Sequence, residues 1–204
     1  MEVLYKSKYF DIVRYRCVIE VVGQSTTEFT NETTRKLFGK SSKTVSRVIE
    51  YMRILDKDDN TVRMLPITSL YKNVDSYIDP GLECTIYFLD SREEGGNCGV
   101  LAIVSNGRFA DDINNFYHSI AAIKKHFRSV YLIMAVMLLL GLLTMFFFIG
   151  FVFLYLFFKS LKLTIKMHDV IRSLPPEKET VRIILDDVQK LYPDLKKNYG
   201  IAPA

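Results

Sequence analysis

The three histidines of this 204-residue chain are the first candidates for metal or acid–base chemistry. His118, His126 and His168 lie on either side of a long apolar run, and no two of them are three to five residues apart. A zinc site built on one helix or loop needs ligands at such short spacing. We therefore interpret the histidines as interfacial residues of amphipathic helices, and the sequence predicts no metal-binding residue.

The three cysteines are candidates for disulfide formation or for nucleophilic chemistry. Cys17, Cys84 and Cys98 lie in or beside apolar, strand-like segments. Buried free thiols in a reducing compartment are the prediction, and one disulfide with a leftover thiol in an oxidising compartment is the alternative. A Cys–His nucleophile pair would need one thiol to meet a histidine near the apolar run, and the spacing neither indicates nor excludes such a pair.

Two motifs that resemble ligand-binding loops are incomplete. Residues 56–60, DKDDN, cluster acids but lack the glycine and the later glutamate of an EF-hand, so a hairpin turn is the interpretation. Residues 38–43, FGKSSK, contain Gly-Lys-Ser, but Thr34 stands where a phosphate loop requires glycine. The sequence thus predicts no catalytic residue and no cofactor, and we expect a protein that is not an enzyme.

Residues 129–158 form a run of thirty residues without a charged side chain. As one helix the run would be about 45 Å long, against a hydrocarbon core of about 30 Å. The sequence therefore predicts one long, tilted transmembrane helix. A re-entrant hairpin turning near Gly141 or Gly150 is the alternative; its limbs would be about 21 Å long, and its turn would leave backbone groups unpaired in lipid.

Both flanks of the apolar run are basic, and they supply the candidate membrane-interface residues. These are Lys124, Lys125, Arg128, Lys159, Lys162 and Lys166. Basic flanks on both sides give almost no orientation by the positive-inside rule, and they are the pattern of a hairpin with both ends in the cytoplasm. The run also lacks the ionisable and amide side chains that ion pathways normally use, which favours an anchor over a channel.

Residues 1–110 are predicted to form a soluble β domain. Val13, Tyr15 and Cys17 alternate with Arg14 and Arg16, which is the period of a strand with one buried face. About five such strands predict a small barrel, of the SH3 or OB kind, or a sandwich. The segment carries 15 basic and 15 acidic residues, and this balance argues against nucleic acid as a partner.

Three helical segments complete an α+β chain. Residues 111–128 are predicted to form an amphipathic junction helix, residues 159–174 a basic interfacial helix, and residues 177–204 a short helical tail. An apolar face in the tail should pack on the barrel or on a partner, because so short a helix is not stable alone. This partner-helix face consists of Val181, Ile184, Leu185, Val188 and Leu191. Packing on the barrel would favour the hairpin.

These features together predict a membrane-anchored, non-enzymatic interaction or sensing protein. Its partners would be the lipid bilayer and a protein, either another protein or a second copy of the chain. The N-terminus has no secretory signal, so we expect the β domain in the cytoplasm. Size and composition favour a bacterial inner-membrane protein, with an accessory, immunity or exclusion protein of a phage or plasmid as one alternative. An oligomeric effector, in which a ligand-binding barrel controls membrane disruption or a pore, is the other.

Overall fold

The computed structural model describes residues 1–29, 45–65, 68–92, 98–144 and 149–195, and it has the predicted α+β class. The strands are β1 (Glu2–Lys6), β2 (Phe10–Val22), β3 (Ser25–Phe29), β4 (Val45–Ile49), β5 (Met52–Asp56), β6 (Thr61–Leu65), β7 (Thr68–Tyr71), β8 (Glu83–Ser91), β9 (Cys98–Ser105) and β10 (Arg108–Asp111). The helices are α1 (Lys72–Asp75), α2 (Ile113–Leu143), α3 (Ile149–Arg172) and α4 (Glu177–Leu191).

The described strands form one open sheet that does not close into a barrel, so the predicted barrel-like or sandwich domain is confirmed only as the sheet of an α+β chain. Their order is β3-β4-β7-β9-β8-β2-β5-β6, with β1 added to β2 and β10 added to β9. The edge strands β3 and β6 do not pair with each other, and that pairing would be needed for closure in this order. All of the strand pairs are antiparallel except β7 with β9.

One face of the sheet carries the hydrophobic core that the alternating pattern of β2 predicted. Val13, Tyr15, Cys17 and Ile19 are all buried on it. They join apolar residues of β4 to β9 in a single cluster, in which Tyr15 and Phe88 pack edge to face. The cluster thus extends over strands from both halves of the sheet.

Residues 45–56 are divided between the two strands β4 and β5. The division falls at Glu50 and Tyr51, whose backbones bond to Gln24 and Gly23 in the connection between β2 and β3. The acidic segment after β5 is a hairpin turn to β6, as predicted, and it ends at Asn60 in the left-handed region at φ 54°.

The second face of the sheet is also buried along the middle of β2 and β8. Arg14 is only 7% exposed, and Tyr87, its partner in register, is fully buried. The alternation of β2 had placed Arg14 on a solvent-facing surface. Helix α4 packs there and accounts for the difference, since Asp187 on that helix bonds to both side chains.

The chain forms two compact units. One consists of Met1–Phe116 together with Pro175–Ala204, and the other is Tyr117–Leu174. The second unit contains most of α2 and all of α3. The uncharged run is divided between these two helices, so residues 129–158 do not form the single continuous helix that the sequence predicts. The junction segment and the first half of the run belong to α2, and the second half of the run and the basic segment belong to α3.

Several features singled out in the sequence lie outside the described residues. They are the Gly-Lys-Ser string within residues 38–43 and the end of the predicted tail beyond residue 195.

Candidate functional site

Helices α2 and α3 form an antiparallel hairpin. Thr164 on α3 lies 3.7 Å from the sulfur of Met134 on α2, and the rings of Phe127 and His168 are 6.3 Å apart. Nearer the tip, a Cβ atom placed on Gly141 would be 3.0 Å from the side chain of Leu154. As residue numbers increase along α2, the residue numbers of their contacts on α3 decrease. The two helices therefore run in opposite directions.

The tip of the hairpin is held by backbone and hydroxyl hydrogen bonds. The amide of Gly150 donates to the carbonyl of Thr144 at 3.2 Å, and the hydroxyl of Thr144 donates to the carbonyl of Leu140 at 2.7 Å. The close approach at Gly141 favours glycine, because a Cβ atom there would lie 3.0 Å from the Leu154 side chain and 3.3 Å from the Gly150 carbonyl, and these neighbours would have to shift. The bond from Gly150 to Thr144 pairs two backbone groups that a turn in lipid would otherwise leave unpaired.

The outer surface of the hairpin is apolar on both helices. Leu132 is 68% exposed on α2, and Phe158 is 62% exposed on α3. An aqueous surface rarely carries so many large apolar side chains together. Of the described helices, α2 is the one that is long and apolar enough to cross a membrane by length and composition. The other large exposed side chains of the tip half include Leu139, Leu142, Leu143, Phe151, Val152 and Tyr155.

The six residues predicted to lie at the membrane interface are all exposed on the hairpin, and we call them the basic collar. They are Lys124, Lys125 and Arg128 on α2, and Lys159, Lys162 and Lys166 on α3. The unit Tyr117–Leu174 contains seven basic residues and one acidic residue, for a net charge of +6. The rest of the chain has 20 basic and 22 acidic residues, so the whole positive excess is in the hairpin.

In the other unit, α4 is attached to the sheet through a buried ionic cluster. Arg14 donates from Nη1 to Asp187 at 2.7 Å and from Nη2 to Glu2. The hydroxyl of Tyr87 donates to the other oxygen of Asp187 at 2.9 Å. Burial, the largest single effect, lowers the pKa of Arg14, but the hydrogen bond to Asp187 and the charges of Asp187 and Glu2 together raise that pKa above its ordinary value, so the guanidinium is charged. Burial, with the Asp187 charge, raises the pKa of the Tyr87 hydroxyl, so Tyr87 stays a donor.

The predicted apolar face of the tail helix meets the sheet only in part. Ile184 and Val188 are fully buried together with Thr180, whereas Val181, Leu185 and Leu191 are half-buried. A second polar contact follows the helix, where the hydroxyl groups of Tyr192 and Thr85 are 2.7 Å apart. Helix α4 therefore belongs to the fold of the β domain.

A recess of about 270 Å³ opens beside this second contact. Arg16, Lys57 and Glu83 are at its rim, and the ammonium of Lys57 is 2.5 Å from the Glu83 carboxylate. Ligand pockets usually measure about 300–1,000 Å³, so the recess is small for one. Because its two best-placed charges already bond to each other, we assign no ligand to it.

The two cysteines whose thiols the structure describes are among the residues that line the recess, and their thiols face each other. Cys17 and Cys84 are opposite residues of β2 and β8, both are buried, and their sulfur atoms are 3.9 Å apart without a disulfide. The hydrogen bond to Cys84 and burial both raise the pKa of Cys17, so the Cys17 thiol has little thiolate character. The part of the chain that the structure describes contains no group of three or more His, Cys, Asp or Glu side chains able to hold a metal ion.

Comparisons of the chain with protein-family models, with curated proteins and with solved structures found no match.

Sequence reasoning missed the cluster at Asp187. The only signal was an arginine at a polar position of β2 and an aspartate on the border of the helix stripe. Such residues are ordinary on solvent-facing surfaces, and 173 residues separate Arg14 from Asp187. A second buried acid, Asp56, is the first residue of the segment interpreted as a hairpin turn; it is fully buried and accepts a hydrogen bond from Arg63 at 3.0 Å.

Proposed function

We propose that this chain is a membrane-anchored, non-enzymatic interaction or sensing protein that enters the bilayer as a hairpin. The β domain and the C-terminal helix would then lie on the same side of the membrane. The observation that carries the proposal is the docking of α4 on the sheet through Arg14, Tyr87 and Asp187. A unit whose two parts share buried contacts has to be on one side of a bilayer.

The geometry of the hairpin supports the same arrangement. Its two limbs run antiparallel, so the chain leaves the hairpin at the end where it entered. The apolar outer surface supplies a lipid-facing exterior, and the bonded turn at Thr144 and Gly150 reduces the cost of placing a turn in lipid. A single span would instead require Met134 and Thr164 to lie about 45 Å apart along one helix.

The charge distribution supports cytoplasmic placement of the β domain. A hairpin places both of its basic flanks on one side, and the positive-inside rule assigns such a side to the cytoplasm. The folded unit outside the hairpin carries a net charge of −2 and so is not itself drawn to anionic lipid. We propose that it presents its surface to a protein partner while the hairpin holds it at the membrane.

A topology experiment tests this proposal. Single reporter cysteines are added before Met1 or after Ala204 in an otherwise cysteine-free chain, and sealed membranes are treated with an impermeant maleimide. The expected result is labelling of both ends from the same side. Labelling from opposite sides would establish one span and refute the proposal.

Cross-linking tests the hairpin within the membrane. Met134→Cys with Thr164→Cys should form an intramolecular disulfide under mild oxidation, because the native side chains are 3.7 Å apart. The control pair is Leu142→Cys with Thr164→Cys, whose positions differ by about 12 Å along the helix axes. Equal cross-linking of the two pairs, or none in the first pair, would contradict the hairpin.

A further inference from the structure

The depth to which the hairpin can insert follows from where its charges lie. The contacts of Gly141 with Leu154 and of Met134 with Thr164 set the register, which places Lys159 level with residues 136–139 of α2. Beyond that level neither helix carries a charged residue. The uncharged limb from Ile149 to Phe158 is about 15 Å long, at about 1.5 Å per residue.

One leaflet of the hydrocarbon core has the same thickness, about 15 Å of the total of about 30 Å. The tip half of the hairpin therefore matches a single leaflet and is too short for both. The exposed charges nearest the tip, Lys159 and Lys162, would lie at the headgroup level, where their alkyl chains can extend along the apolar surface. Deeper insertion would pull these ammonium groups into hydrocarbon.

The occupant of this apolar surface is therefore a phospholipid leaflet with anionic headgroups. Charge complementarity supports it, since Lys159 and Lys162 border the uncharged tip, the other collar residues lie farther from the tip on the same two limbs, and Asp169 is the only acidic residue of the unit. Exposure supports it as well, because the tip half presents large apolar side chains such as Leu143 and Phe151 on both helices.

We propose that the hairpin is a one-leaflet wedge that binds preferentially to convex, anionic membrane surfaces. Two helices inserted in one leaflet add lateral area to that leaflet alone. A convex surface has a loosely packed outer leaflet that accepts this area at lower cost, so the wedge binds it more tightly than a flat one. Because binding of the wedge and curvature of the membrane are thermodynamically linked, dense binding of the protein would promote bending of the membrane. The inference rests on the hairpin proposed above and adds its depth and its lipid preference.

A depth measurement tests the wedge directly, because the chain contains no tryptophan. Phe151→Trp and Phe158→Trp are matched variants, each replacing an exposed aromatic ring of α3. The variants are bound to vesicles whose lipids carry bromine at defined positions of the acyl chain, and the quenching of tryptophan fluorescence is measured. The fluorescence of Phe151→Trp should be quenched best by the deepest bromines, and that of Phe158→Trp by the shallowest. In a single span centred on the run, the ring at position 151 would lie about 11 Å from the midplane. Equal depth for the two indoles would overturn the inference.

A binding measurement tests the lipid preference. The full-length protein is diluted from detergent onto small sonicated or large extruded vesicles of phosphatidylcholine with phosphatidylserine, and bound protein is separated by flotation. Binding per lipid should be about fivefold or more higher on the small vesicles. Replacing Lys159, Lys162 and Lys166 by glutamine should weaken binding to anionic vesicles by about a hundredfold and leave binding to neutral vesicles almost unchanged.

The outcomes separate this inference from the proposed function. Both termini on one side, with binding indifferent to vesicle size, would retain the hairpin and overturn the wedge. Termini on opposite sides would overturn both. An unchanged preference for anionic vesicles in the glutamine variant would overturn the role of the collar lysines on α3.

Discussion

Removing the carboxylate of Asp187 should release α4 from the sheet. In Asp187→Ala the buried guanidinium of Arg14 loses one of its two ionic partners, and the hydroxyl of Tyr87 loses its acceptor. Breaking a buried ion pair by deleting one partner costs about 3–5 kcal/mol. Glu2 remains bonded to Arg14, so we expect a value near the lower limit, about 3 kcal/mol.

The neighbouring substitution Asp186→Ala is the matched control. Asp186 is exposed on the same helix, and the same gain in helix propensity accompanies both changes. The two variants therefore differ only in the buried contacts of the side chain. A measured difference between them reports the cluster and not the intrinsic stability of the helix.

Trypsin provides the assay, because Arg182 and Lys190 lie on α4 itself. Cleavage there requires the helix to open, and its rate follows the open population when opening is fast relative to cleavage. A loss of about 3 kcal/mol predicts cleavage about a hundredfold faster in Asp187→Ala than in Asp186→Ala. Equal cleavage rates in the two variants would refute the assignment of the cluster as the main attachment of α4.

Three further predictions concern the hairpin tip, a buried acid and the thiols. Gly141→Leu should separate the hairpin limbs and abolish the cross-link between them, whereas Ala135→Leu on the exposed side of the same helix should preserve it. Burial raises the pKa of Asp112 in the folded protein above its value in the unfolded chain. The free energy of unfolding of the wild type, relative to that of Asp112→Asn, should therefore increase as the pH falls through the raised pKa towards the ordinary aspartate range. Denaturant unfolding at several pH values measures this difference. In a variant lacking the third cysteine, Cys17 and Cys84 should react with a maleimide only on unfolding; rapid labelling of the folded protein would contradict the buried dithiol.

The sequence predicted those parts of the structure in which local pattern and burial agree. The alternation of β2 correctly marked Val13, Cys17 and Ile19 as core, and the acidic turn before Thr61 lies where the composition placed it. The pairing of the strands could not be predicted in this way, because it depends on which distant strands meet. The parallel contact of β7 with β9 and the open edges at β3 and β6 are of this kind.

The candidate site was predictable in composition but not in arrangement. Every collar residue could be named from the flanks of the apolar run, since charge beside a long apolar segment is a local signal. Whether that run is one helix or two depends on contacts between its halves. The glycines were visible in the sequence, but the close approach at Gly141 depends on Leu154 facing it. Burial of Arg14 likewise depends on a helix that begins 163 residues later.

The buried cluster at Asp187 and the antiparallel hairpin independently favour the same topology, in which both termini lie on one side of the membrane. The contacts of Asp187 keep the first and last parts of the chain in one unit, whatever the hairpin does. The antiparallel limbs return the chain to its point of entry, whatever α4 does. Since a bilayer cannot pass through a packed unit, either feature alone favours an anchor inserted from one side. Releasing α4 with Asp187→Ala should therefore leave both termini on the same side, and a change of side in that variant would mean that the hairpin does not hold the topology by itself.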